Sequence, residues 1–86
     1  MNNERGIMYF SAPWCGPCKM LGPVMDGLIS EGMKVNKINC DYDVSLVQKY
    51  GIKSIPTLIL TDLGGNEIGR KTGALTKQQI TDFYNG

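Results

Sequence analysis

The amino-acid sequence predicts an α/β fold, a mixed four-stranded sheet flanked by three helices in the order β-α-β-α-β-β-α, and three observations carry that expectation. Short apolar or β-branched runs at 7–10, 35–40 and 57–61 have the length and composition of strands. Between the first two lies a stretch whose apolar residues recur at helical spacing, which supplies a crossover. The glycine-bearing turn Asp62-Leu63-Gly64-Gly65-Asn66 joins the third run to a charged one, so the last two strands are expected to pair as a hairpin. At 86 residues the chain reads as one small domain spanning 1–86, because two separate cores would each be too small to be stable.

Each element has its own local reason. Ile7-Met8-Tyr9-Phe10 is a buried strand stopped by Ser11-Ala12-Pro13, and it leads directly into Trp14-Cys15-Gly16-Pro17-Cys18. From Pro17 onward Met20, Leu21, Val24, Met25, Leu28 and Ile29 form one apolar stripe on a helix. Pro17 suits a first turn, where its missing N–H lacks an intrahelical partner in any case. Pro23 removes an internal hydrogen bond and is expected to kink the helix without ending it, since the stripe runs past it, and Gly32 is the expected stop. Residues 35–40 make the second strand. Asp41-Tyr42-Asp43-Val44-Ser45 offers capping side chains, and residues 46–50 form a short second helix before Gly51. Thr57-Leu58-Ile59-Leu60-Thr61 follows Pro56 and is expected at the centre of the sheet. Glu67-Ile68-Gly69-Arg70-Lys71 reads as an edge strand protected by charge. Thr76 and Gln79 form a capping box that opens a last helix through Ile80, Phe83 and Tyr84. A right-handed βαβ crossover followed by a hairpin and a closing helix completes the sheet.

Composition excludes several function classes. Hydrophobic residues are 42% and charged residues 20%, the balance of an ordinary globular domain. Nine Lys plus Arg against eight Asp plus Glu leave a net charge of +1, too little for a field that holds nucleic-acid phosphates or anionic lipid. No nucleic-acid or membrane partner is expected. The chain contains no histidine, the usual general base near neutral pH, so Ser–His and Cys–His hydrolysis are ruled out. Three cysteines are an odd number for the disulfide framework of a small secreted domain, and the apolar run after the polar first six residues is too short for a signal core. The expected compartment is cytoplasmic.

The chemistry lies at the start of the first helix. Thiols at i and i+3 on an opening helical turn are near enough to close a disulfide with little backbone movement. Cys15 stands at or just before the helix start, where free N–H groups and the positive dipole end favour a thiolate and bring its pKa below the free value of about 8.5. Cys15 is therefore the expected nucleophile. Cys18 lies one turn inward, where burial opposes ionisation, which suits a resolving thiol. The neutral pair Gly16 and Pro17 between them favours a reductant over a strong oxidant. A zinc site is the rival reading of any Cys-x-x-Cys. Here it would have to recruit Cys40 and a carboxylate such as Asp41, and no metal is expected.

Trp14-Cys15-Gly16-Pro17-Cys18-Lys19-Met20 resembles the active site of the thioredoxin family. Ile55-Pro56-Thr57 resembles that family's cis-proline loop, Lys37-Ile38-Asn39 with Asp41 its central strand, and Gly73-Ala74-Leu75-Thr76 the loop before its final helix. The resemblance implies a thioredoxin-like fold and a protein-disulfide reductase that needs no bound cofactor and cycles between dithiol and disulfide. It implies a cis peptide bond before Pro56, with Ile55 offering backbone hydrogen bonds to an extended substrate strand. Trp14, Gly16, Pro17, Ile55, Pro56, Gly73 and Ala74 would form a flat apolar docking surface for disulfide-containing proteins. Electrons would come from a thioredoxin reductase or a similar donor, and a monomer is expected. Three departures from the family pattern are expected. The leading strand and helix are absent, which makes the topology closer to glutaredoxins; the final helix is short; and Tyr9 occupies the place of a buried acid while that acid's partner, Lys37, remains. Tyr9 and Lys37 thus mark the proton-transfer region, and a tyrosine there cannot act as a base at neutral pH.

Cys40 reads as a buried free thiol at a strand end, with a regulatory or dimer-forming thiol as the sharper alternative. Two further functional readings stay open at this point. One is a glutaredoxin-like reductant dedicated to a single partner such as a ribonucleotide reductase, and the other a binding module that uses the flat apolar face with its thiols idle.

Overall fold

Backbone pairing joins four strands into one sheet, and the sheet settles where the cysteines lie. The computed structural model describes residues 5–86, and the polar start at residues 1–4 lies outside the described residues. The elements follow in the expected order: β1 (Arg5–Ser11), α1 (Gly16–Ser30), β2 (Val35–Asn39), α2 (Val44–Lys49), β3 (Thr57–Asp62), β4 (Glu67–Thr72) and α3 (Lys77–Asn85). Across the sheet the strand order is β2-β1-β3-β4. β1 runs parallel to β2 and antiparallel to β3, with Tyr9 opposite Lys37 on one side and Leu58 on the other. β4 pairs antiparallel with β3 and carries a register shift at Leu60/Thr61.

Strand side chains alternate between faces, and the two faces bury different helices. Ile7, Tyr9, Leu58 and Leu60 pack against Leu21, Met25 and Leu28 of α1 and against Ile80 and Tyr84 of α3. On the opposite face Phe10, Ile38 and Ile59 meet Leu46, Val47 and Tyr50 of the α2 region. β3 lies between β1 and β4 with Thr57 to Thr61 buried throughout, as its unbroken apolar character predicts.

The helix ends follow from named residues. Pro23 lies inside α1 without ending it. Past Ser30, Gly32 adopts φ +102°, which brings the Gly32 N–H to the Ile29 carbonyl at 3.0 Å and the Met33 N–H to the Leu28 carbonyl at 3.0 Å. This is a Schellman stop, and it tucks Met33 into the same core as Leu28. α3 opens on the expected capping box, with Thr76 Oγ1 accepting from the Gln79 N–H at 3.1 Å and Gln79 returning the bond to the Thr76 N–H at 2.9 Å. In the hairpin turn the Asp62 carboxylate accepts the Gly64 and Asn66 N–H groups, at 2.9 and 3.0 Å. These bonds, those from Asn66 foremost, hold its carboxyl below the usual range.

Several boundaries differ from the sequence expectation by one or two residues. β1 begins at Arg5 rather than residue 7, because β3 extends to Asp62 and gives Arg5 a partner. α2 begins at Val44 rather than Leu46, and its N-cap, Asp43, makes no side-chain cap bond. β2 ends at Asn39, so Cys40 falls just outside the strand, where its N–H turns to the Ser11 carbonyl at 2.9 Å. No helix among the described residues is long and apolar enough to cross a membrane.

Leu58 is fully buried at the centre of the sheet against α1 and α3. Leu58→Ala is expected to cost about 2–5 kcal/mol by the transfer and cavity terms together. Urea unfolding followed by circular dichroism measures it, as a lowered midpoint with an unchanged slope.

Candidate active site

The end of β1 and the start of α1 are tied within a single turn. The Cys15 N–H donates to the Ala12 carbonyl at 3.1 Å, and the Lys19 N–H closes the first helical bond onto the Cys15 carbonyl at 3.2 Å. Cys15 is the N-cap of α1, in an extended conformation at φ −84°, ψ 113°. Its Sγ takes the place of a capping oxygen and accepts the Cys18 N–H at 3.3 Å. Cys15 and Cys18 are joined as a disulfide with Cα atoms 5.2 Å apart. Both are 5% exposed and pack with Ala12 and Ile55. An N–H aimed at Sγ, at the positive end of a fifteen-residue helix, favours the anionic form of Cys15 once the disulfide is opened.

Two other loops close over the pair. The Ile55-Pro56 peptide bond is cis, as the resemblance implies. The Ile55 carbonyl oxygen lies 3.7 Å from Cys15 Sγ, and Pro56 is buried. Gly73 adopts φ +90°, a conformation that L side chains rarely take, and its N–H reaches the Pro56 carbonyl at 2.9 Å. The loop with Gly73 and Ala74, both exposed, is thereby fastened beside the cis-proline loop. Gly16 and Pro17 are exposed at the helix start, and Trp14 is 68% exposed. The seven residues expected at the docking surface thus lie at the start of α1 and in the loops around the disulfide.

Trp14 is held by a bond that the sequence gives no means of pairing. Its Nε1 donates to both carboxylate oxygens of Asp41, at 3.1 and 3.2 Å. Beside it an open groove of about 140 Å³ is lined by Trp14, Cys40, Val47, Ile52 and Ile55 among others. Cys40 is half-buried there, a correction to the expectation of a buried thiol, because the strand stops one residue before it. Burial, and after it the Asp41 carboxylate, pushes its thiol pKa up. A larger cleft of about 610 Å³, lined by Gly6, Met33, Lys34 and Thr61, lies at the other end of β1, away from the disulfide.

Tyr9 and Lys37 stand side by side across the β1/β2 pairing, but their functional groups point to different partners. The Tyr9 hydroxyl is buried and donates to the Cys18 carbonyl at 3.3 Å. Burial raises its pKa above the ordinary value. Lys37 Nζ is bonded to the Asp26 carboxylate of α1 at the surface. Asp26 was not among the residues singled out from the sequence, and its only signal there is a charge on the far side of the helix stripe from Leu28.

The comparisons with known proteins agree with this geometry. A sequence profile described as Thioredoxin matches residues 1–85. A thioredoxin of Haemophilus influenzae is 42% identical over 82 residues, covering 92% of this chain and 76% of that protein. A thioredoxin of Pyropia yezoensis is 39% identical over 87 residues, covering 98% and 80%. Among solved structures, a mutant thioredoxin of Halobacterium salinarum superposes with a TM-score of 0.86 at 33% identity, covering 96% of this chain and 74% of that one.

Cys40 offers a direct check of the site's electrostatics while the disulfide is intact, because it is then the one free thiol of three. A raised pKa means a smaller thiolate fraction near pH 8 than in a free cysteine. Alkylation by iodoacetamide is therefore expected to be slower than for a model cysteine peptide and to rise with a midpoint at higher pH. Asp41→Asn should move that midpoint down, since it removes the nearby negative charge.

Proposed function

This chain belongs to the thioredoxin family and is a protein thiol-disulfide oxidoreductase, and we propose that it works as a reductant of protein disulfides, with Cys15 attacking and Cys18 resolving. The observation that carries this assignment of roles is the Cys18 N–H bonded to Cys15 Sγ at the N-terminus of α1. It gives the outer thiol a preorganised donor for its anion. Attack by the Cys15 thiolate on a substrate S–S bond forms a mixed disulfide and expels one substrate thiolate, which takes a proton from solvent. The Cys18 thiolate then attacks Cys15 Sγ, forms the Cys15–Cys18 bond and releases the second substrate thiolate. Two electrons pass to the substrate, and the protein is left as the disulfide found in the structure.

Substrate docks on Trp14, Gly16, Pro17, Ile55, Pro56, Gly73 and Ala74. Ile55 presents backbone to an extended segment beside Cys15 Sγ, an arrangement that accepts many sequences because it reads main chain. A reductase acting on this same face returns the electrons, in keeping with a cytoplasmic location where thiols are kept reduced. The chain acts as one domain over 1–86. Tyr9 takes no proton at neutral pH, since burial holds its hydroxyl in the neutral form, so Cys18 deprotonates through water or by direct exchange.

Insulin reduction driven by dithiothreitol tests the roles. Cys15→Ser is expected to abolish turnover. Cys18→Ser should keep the first attack and accumulate a protein–substrate mixed disulfide visible by mass spectrometry. Turnover by the Cys15 variant, or no adduct with the Cys18 variant, would overturn the assignment. In the intact protein the resolving step should steepen with pH between roughly 7 and 9 as the Cys18 thiolate fraction grows.

A further inference from the structure

Tyr9 reaches from the middle strand to the backbone of the inner cysteine. Its ring is 3% exposed in the core formed with Leu21 and Met25, and its hydroxyl donates to the Cys18 carbonyl at 3.3 Å. That carbonyl lies one residue before a gap in the hydrogen-bond ladder of α1. Pro23 has no N–H, so the Lys19 carbonyl four residues before it receives no ladder bond, and the turn that carries Cys15 and Cys18 is joined to the rest of the helix by one bond fewer. β1, by contrast, is paired on both sides.

We propose that Tyr9 is a positioning residue for the exchange: its hydroxyl holds Cys18 in attacking position at the stage when no disulfide does so. In the structure the Cys15–Cys18 bond itself fixes the inner sulfur. In the mixed disulfide that cross-link is open, and the place of Cys18 rests on its backbone anchors alone. The anchor supplied by Tyr9 comes from another element, so it does not depend on the interrupted helix. The groups facing its hydroxyl are Ser11 on β1, Lys37 on β2 and Asp26 on α1, and the last two are bonded to each other. Burial keeps the hydroxyl protonated, so the donor persists through the pH range in which Cys18 ionises. The proposal rests on the reading of Cys18 as the resolving thiol.

Reaction of the reduced protein with 5,5′-dithiobis(2-nitrobenzoate), in a Cys40→Ser background, separates the steps in one stopped-flow trace. Cys15 attack releases the first thionitrobenzoate, and Cys18 attack on Cys15 Sγ releases the second. Tyr9→Phe keeps the ring and removes only the hydroxyl. The expected result is a first phase within about twofold of the parent and a second phase slowed by about two- to tenfold, the span of one ordinary hydrogen bond. Pro23→Ala restores an N–H to the Lys19 carbonyl. It should recover part of the second phase in the Tyr9→Phe protein while changing it little in the parent. A second phase unaltered by Tyr9→Phe, both phases slowed together, or an equal effect of Pro23→Ala in the two backgrounds would each overturn the positioning role. Cys18→Ser reports on the underlying reading separately: it should lose the second phase entirely, and a second phase that survives there means that Cys18 does not resolve.

Discussion

The register of β1 between its two neighbours is the constraint on which the site depends. Ser11 stands opposite Asn39, Phe10 opposite Thr57, and Thr57 opposite Thr72. One to four residues beyond those pairs, at the same end of the sheet, come Trp14 and Cys15, then Cys40 and Asp41, then Ile55 and Pro56, then Gly73. None of these residues has to find its neighbours by side-chain packing, because backbone pairing inside a buried sheet delivers each loop to its place. A slip of one residue between β1 and β3 would turn Tyr9 and Leu58 away from α1 and would also carry Pro56 off Cys15. Fold and site are therefore specified by the same hydrogen bonds.

The electrostatics of the thiol pair follow from that placement. The chain has no histidine, Asp41 is engaged by Trp14 Nε1, and Lys37 is engaged by Asp26. The helix start stabilises a sulfur anion through the Cys18 N–H at contact distance. A fixed backbone donor of this kind costs no reorganisation during the reaction, and unlike a surface lysine it is little screened by salt.

Local signals made most of the fold legible in the sequence. The Thr76/Gln79 box, the stop at Gly32, the turn from Asp62 to Asn66 and the unbroken apolar run of β3 each act through neighbours a few residues away, and each appears in the structure where its residues are. At the site the Cys-x-x-Cys and the residue before Thr57 were legible for the same reason. The long-range bonds were not. Tyr9 to Cys18, Trp14 to Asp41, Gly73 to Pro56 and Lys37 to Asp26 depend on how α1 crosses the sheet and how far loops travel, and neither is written in any short segment. Lys37 shows the limit: its residue type was informative, and its partner was set by a helix that periodicity alone does not orient.

The nature of residue 9 then decides what the core can offer the chemistry. The position faces Leu21, Met25 and Leu58, and a carboxylate among them would have to be desolvated or given a partner. Lys37, the adjacent cation on β2, is held at the surface by Asp26, so no countercharge enters the interior. A tyrosine meets the same site with a large apolar ring and a single polar atom whose bond is satisfied by the Cys18 carbonyl. The interior thereby gains packing and an anchor on α1, and Tyr9 itself cannot accept a proton at neutral pH.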